Sequence, residues 1–129
     1  MFVRPYRVKS NTQMKGSDKK KFKADVKKKF SISDEALNAL MPNKDEIIVS
    51  KIYTFNGDSL LVYFKEKTPL FFELEKDKIV FPTVYTLWQV PDLLPSFPTW
   101  PPVLKKLANG ADLMLPGVVV DRSLGVKAY

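Results

Sequence analysis

Apolar residues recur at intervals of four near the start of the chain, where Phe22, Val26 and Phe30 stand among lysines with Ala24 nearby. That spacing predicts a helix with one narrow apolar stripe. Gly16-Ser17 supplies a turn and an N-cap at Ser17, and Asp18 suits the positive end of the helix. The stripe is expected to face a core while the lysines fan into solvent. Ahead of it, residues 2–9 predict an extended segment with Phe2, Arg4, Tyr6 and Val8 on one side. Behind it, Ser33 caps a shorter helix in which Leu37, Leu40 and Met41 share a face, and Pro42 stops it.

Strand patterns follow. Ile47-Ile48-Val49 and Ile52-Tyr53-Thr54-Phe55 are β-branched and aromatic, and they run into Asn56-Gly57. That dipeptide predicts a type I′ hairpin turn, in which both central residues take positive φ. Leu60–Phe64 is the return strand, Lys65–Pro69 a turn, Leu70–Leu74 a third strand and Glu75–Lys78 another turn. Ile79-Val80-Phe81 is a short edge-like segment ended by Pro82. Thr83 then caps a helix through Leu87 and Trp88, with Trp88 expected in the core. Helices followed by a strand meander predict an α+β domain: an antiparallel sheet with helices on one face.

The texture changes after Val90. Pro91, Pro95, Pro98, Pro101 and Pro102 mark a boundary or stiff connector, within which Trp100 is expected to pack two units together. Val103, Leu104 and Leu107 predict one short helix with Asn109-Gly110 as its C-cap. Leu113 to Val120 is an apolar strand-like run broken by Pro116-Gly117.

Composition narrows the chemistry. The 129 residues contain no cysteine and no histidine, so thiol nucleophiles, disulfides, cysteine zinc sites and histidine-dependent triads are all excluded. No apolar stretch approaches the ~20 residues of a membrane span, and a soluble, cytoplasmic protein is expected. The best acidic cluster, Glu73, Glu75 and Asp77, runs into a lysine-containing turn and reads as solvated. No enzyme is expected, and no cofactor, metal ion or small-molecule substrate is implied. Phe71, Phe72, Tyr63 and Phe64 read as core rather than base-stacking residues.

Charge is the strongest single signal. Of 21 lysines and arginines, eleven fall in residues 1–30 against only Asp18 and Asp25, while the remaining 99 residues are slightly acidic. Such a local excess is an electrostatic footprint for a polyanion, of which nucleic acid is the commonest. Lys19, Lys20, Lys21, Lys23, Lys27, Lys28 and Lys29 are the candidate phosphate contacts. The alternatives are a merely solvated helix face, or a protein-interaction or anionic-membrane-surface module. A helix lying on a membrane should show a broader apolar face than this stripe.

Three blocks, in order, carry a resemblance: Phe2 to Thr12 with Lys15-Gly16-Ser17-Asp18; Phe81 to Trp88 with Pro91-Asp92-Leu93-Leu94-Pro95; and Gly110 to Val118. Together they resemble the N-terminal region of the ligatin family (eukaryotic translation initiation factor 2D). Shorter forms of the last two blocks are similar to the malignant T-cell-amplified protein family. The resemblance implies a pre-PUA domain over residues 1–94, then an incomplete PUA domain, the truncated start of an RNA-binding β-barrel, over residues 95–129. It implies contact with the small ribosomal subunit, its rRNA and initiator tRNA, GTP-independent delivery of that tRNA to the P site, and a part in recycling or reinitiation. It also marks Gly110, Ala111, Asp112, Pro116 and Gly117 as RNA-binding, since a bare backbone lets a phosphate or ribose approach. The alternative for these five residues is plain turn chemistry. Without further barrel strands over Leu113 to Val120, weak self-association through that segment or local disorder of it is expected.

Overall fold

A computed structural model of the chain describes residues 4–119, so the expectations for Phe2 and Val120 lie outside the described residues. The chain divides into two compact units, Met1–Leu93 and Leu94–Tyr129. In the first, β1 (Arg7–Gln13) leads to α1 (Gly16–Phe30) and α2 (Asp34–Leu40). A meander of β2 (Ile47–Tyr53), β3 (Ser59–Lys65), β4 (Thr68–Leu74) and β5 (Ile79–Pro82) follows, closed by α3 (Val84–Gln89). The strands form one antiparallel sheet in chain order. The domain is α+β, as its pattern predicts.

The core lies between α1, α2 and one face of the sheet. Val49, Tyr63 and Phe71 are register partners across β2, β3 and β4 and therefore share that face. Phe22 stacks on Tyr63 with ring centres 4.1 Å apart and meets Phe71 edge-on at 5.7 Å. Val26, Leu37, Leu40, Met41 and Ile47 complete the cluster. Burying Phe22 and Val26 stabilises the α1 contact by about 1.5–3 kcal/mol each.

Local chemistry departs from expectation at both ends of β2. The β1 ladder continues to Met14, whose N–H donates to the Ile47 carbonyl (2.8 Å). Lys15 thus becomes the extended residue before α1, and Ser17 lies inside the first turn rather than capping it. The hairpin after β2 is not type I′. Gly57 alone has positive φ, at 85°, and Asn56 does not. Gly57 N–H donates to Thr54 O (3.0 Å) and Thr54 N–H to Asp58 O (2.9 Å). These bonds define a three-residue loop closed by a left-handed glycine. Phe55 therefore belongs to the loop rather than to the strand.

Two threonines fix α3. Thr83 caps it and donates its hydroxyl to Pro69 O, while the fully buried Thr86 donates to Leu70 O, both at 2.6 Å. Trp88 sits two positions, or about 200°, around the helix from Thr86 and so points away from the sheet. It is 72% exposed, not core.

In the second unit, α4 (Pro101–Ala108) starts with prolines in its first turn, where no N–H is needed. Trp100 stands just before it, 56% exposed. The expected strand from Leu113 is instead a 3-10 turn, Leu115–Gly117, followed by a single bridge from Val118 to Thr99. Pro116 has no N–H to give a ladder.

One side chain binds α1 to the chain that follows α2. Lys19 is 8% exposed, and its Nζ donates to the carbonyls of Pro42 (2.7 Å), Asn43 (3.1 Å) and Asp45. Pro42 O also accepts from the Asp45 N–H (3.2 Å), so removing the ammonium strands the Asn43 and Asp45 carbonyls in a site that water reaches poorly. Lys19→Met should cost roughly 2–4 kcal/mol in urea denaturation, whereas the exposed Lys20→Met should stay within about 0.5 kcal/mol. Gly57→Val should cost more than about 1 kcal/mol, because a β-branched residue resists positive φ. A Cβ at Gly57 meets no atom within 4 Å, so this cost is conformational alone. A parental melting temperature for Gly57→Val would overturn the loop assignment.

Candidate nucleic-acid interface

The expectation that all the α1 lysines fan into solvent is corrected by the fold. Lys19, Lys23 and Lys27 recur at four-residue intervals and face α2 and the loop after it. Lys23 Nζ donates to Asn38 Oδ1 (2.8 Å), Met41 O (2.9 Å) and Asn43 Oδ1 (2.9 Å). Desolvation, then the charge of Lys19, lowers the Lys23 pKa below the usual lysine value. Lys27 holds both oxygens of Asp34 at 2.7 Å. The ladder thus runs from the negative C-terminal end of α2 to the acidic residue at its N-terminus. Lys29 donates to Val80 O of β5 (2.6 Å) and lies 5.4 Å from the ring centres of Phe30 and Phe81.

Three lysines of the seven remain for a ligand. Lys20, Lys21 and Lys28 are exposed and make no hydrogen bond or ion pair among the described residues. At 3.6 residues per turn they fall within about 100° of the helix circumference, on its outer side. Exposed ammonium groups that make no ion pair suit phosphate contact, and Lys21 alone of the three also lines a mixed-charge groove. The groove of about 480 Å³ beside them is different. Lys21, Lys29 and Lys78 there are balanced by Asp18, Asp25 and Glu73, so it favours neither sign of ligand.

The other candidates are placed as clearly. Gly110 (φ 89°) donates its N–H to Leu107 O (2.9 Å), and Ala111 donates to Lys106 O (3.1 Å). These are the paired hydrogen bonds of a Schellman cap on α4. Gly117 donates to Met114 O (2.8 Å), and a Cβ on it would stand 3.2 Å from Val103 Cγ1. These amides serve turn geometry, while Gly110, Ala111, Asp112 and Pro116 remain exposed. Phe71 and Tyr63 are buried; Phe72 and Phe64 are half-buried on the opposite sheet face, where Phe72 stacks on Phe81.

The acidic cluster is structurally occupied. Tyr63 donates its hydroxyl to Glu73 Oε2 (2.6 Å), and burial, then this bond, pushes the phenol pKa up. The Lys51 ammonium, 2.6 Å from Glu75, holds that carboxyl below its usual range. Among the described residues no group of His, Cys, Asp or Glu is placed to hold a metal ion. No helix among them is long and apolar enough to cross a membrane. Phe22 and Val26 are spent on the core, so α1 has no apolar face to lay on a bilayer.

The lysine ladder is what sequence reading missed. Its signal is the interval 19, 23, 27, in step with Phe22, Val26 and Phe30, opposite a second helix whose last turn carries no cation.

Comparison with known proteins agrees with this architecture. A family model described as "Pre-PUA-like domain" matches residues 2–91, and one described as "elF2D, PUA domain" matches residues 94–128. The chain is 54% identical over 121 residues to Eukaryotic translation initiation factor 2D of Mus musculus, covering 93% of this chain and 21% of that protein. It is 30% identical over 123 residues to Translation machinery-associated protein 64 of Saccharomyces cerevisiae, covering 92% of this chain and 20% of that one. It is 28% identical over 123 residues to Malignant T-cell-amplified sequence 1-B of Xenopus laevis, covering 91% and 60% respectively. The chain spans about a fifth of the length of the first two of these relatives. With its helix-covered five-stranded sheet matched almost from end to end, the chain belongs to the pre-PUA-like domain family.

Proposed function

We propose that this chain is the N-terminal RNA- and ribosome-binding module of a cytoplasmic translation initiation factor. In this reading it contacts rRNA of the small ribosomal subunit. Within the intact factor it helps deliver initiator tRNA to the P site without GTP and assists recycling or reinitiation. The observation that carries the reading is the outer face of α1, where Lys20, Lys21 and Lys28 are exposed and make no hydrogen bond or ion pair among the described residues while their neighbours are spent on structure. Three such charges on one helix face read phosphate position rather than base identity, which suits folded rRNA recognised by shape. The initiation-factor relatives support the setting. Gly110 and Ala111, exposed and with little side chain, add a second surface open to a sugar–phosphate backbone.

Replacing Lys20, Lys21 and Lys28 together by Gln should weaken RNA binding without lowering the melting temperature. The slope of log affinity against log salt should shrink by roughly 0.7–0.9 for each phosphate that is no longer neutralised. Sedimentation with purified subunits should place the parent protein with the small subunit and leave the triple variant in the supernatant. An unchanged salt slope would sink the assignment of this face. Leu113, Met114 and Leu115 are 41%, 69% and 80% exposed, a run that supports weak self-association. Leu115→Ser should then reduce the concentration dependence of the sedimentation coefficient, and a parent that is monomeric at every concentration would remove this second contact.

A further inference from the structure

Arg7 and Tyr53 are register partners, so the chain entering β1 runs beside the loop that leaves β2. That pairing gathers three cations and three rings at one end of the sheet. The Arg4 guanidinium lies 4.9 Å from the centre of the Phe55 ring. Lys9 Nζ lies 5.5 Å from the centre of Tyr53 and donates to its hydroxyl at 3.1 Å. Between these elements is a cavity of about 420 Å³ lined by Tyr6, Arg7, Tyr53, Thr54 and Phe55, with Gly57 at its rim.

Two features set this place apart from a packed core. Phe55 is 60% exposed and Tyr6 is 52% exposed, although each belongs to a residue type that folding usually hides. The flanking strip from Arg4 to Gln13 has three cations and no acid. The rim is open as well, since a Cβ on Gly57 would meet nothing within 4 Å. The volume falls within the range of small-molecule pockets.

The geometry points to a pocket for one unstacked nucleobase of single-stranded RNA, with the flanking phosphates held by Arg4, Arg7 and Lys9. Every base has a π-face, so rings such as Phe55 and Tyr6 bind it with little regard to sequence. A guanidinium already over Phe55 can stack on a base or pair with its phosphate, two roles lysine does not combine. The pocket rests on the RNA-binding reading above but uses none of the α1 lysines. The two surfaces differ in kind: α1 offers charge for a folded or duplex backbone, and the pocket offers rings for a splayed base.

Fluorescence anisotropy at one fixed salt concentration, with a mixed-sequence RNA octamer and a 16-base-pair RNA duplex, separates them. Phe55→Ala should weaken octamer binding by about 5- to 100-fold, with duplex affinity and melting temperature unchanged. Phe55→Trp should restore octamer binding. In a separate salt titration, Arg7→Gln should shrink the octamer's salt slope by about 0.7. Octamer affinity within twofold of parental for Phe55→Ala, or a parent that binds no octamer, overturns the pocket. The triple lysine variant keeps the two readings apart. If it loses the duplex while Phe55→Ala keeps the octamer, the pocket alone falls. If it keeps the duplex while Phe55→Ala loses the octamer, the α1 face falls and the pocket stands.

Discussion

A helix with seven lysines in fifteen residues can be buried on one side only if the charges nearest the interface find oxygen. In this fold backbone carbonyls supply it all for Lys19 and part of it for Lys23, and side-chain oxygens of Asn38, Asn43 and Asp34 supply the rest. Desolvating an ammonium costs several kcal/mol unless hydrogen bonds replace its water. The three carbonyls around Lys19 come from Pro42, Asn43 and Asp45, just past the end of α2, where carbonyls lack helical partners. The same Asp45 sends its carboxylate to Lys65 of β3 at 3.0 Å. One short loop therefore fixes α1, the end of α2 and the sheet to one another. The apolar stripe supplies the driving force, and the lysine ladder sets where along α2 that stripe can lie.

This constraint also divides the charge. Lysines spent on α2 and β5 hold their neighbours in place, and those on the far side of the helix keep their full field. A basic run in a sequence thus contains two populations with opposite consequences for substitution. Lys19 and Lys20 are adjacent in the chain and about 100° apart on the helix, and that angle separates a buried, hydrogen-bonded cation from an exposed, unpaired one. The outer face is held in place because the inner face ties the helix to its neighbours. A phosphate contact made from a fixed helix costs less entropy than one made from a mobile tail.

The sheet does comparable positioning work elsewhere. Neighbours in sequence are neighbours in space throughout β2 to β5, so short loops set the register and long-range folding demands are few. The exception is β1, which pairs with β2 only after two helices have intervened. That pairing brings Arg4, Arg7 and Lys9 to the tip of the β2–β3 hairpin and gives the domain a surface of rings and cations distinct from α1. Left-handed Gly57 keeps the tip open, and left-handed Gly110 closes α4 so that the following turn can fold back on Val103.

Local patterns were enough for the helices and for β2 to β5, although β1 runs on to Gln13, past the expected end at Lys9, and Leu115–Gly117 is a 3-10 turn rather than strand. The four-residue stripe defined α1, Ser33 and Thr83 marked α2 and α3 as caps, and alternating β-branched and aromatic runs gave the meander with its α+β layering. Each of these rests on interactions within a few residues, which one chain displays openly. Partner choice across longer distances was not legible. Whether Lys19 met water or three carbonyls depended on where α2 ended in space, and whether Trp88 was buried depended on which side of a six-residue helix Thr86 tied down. The tip of the hairpin took one left-handed residue rather than two because Thr54 paired with Asp58, a choice of loop length that the Asn-Gly signal does not make. Sequence set the charge of residues 1–30, and tertiary structure decided which of those charges were left to bind anything. Charge is a property of composition, whereas the freedom of a charge depends on whichever dipoles the folded chain brings to within about 3 Å of it.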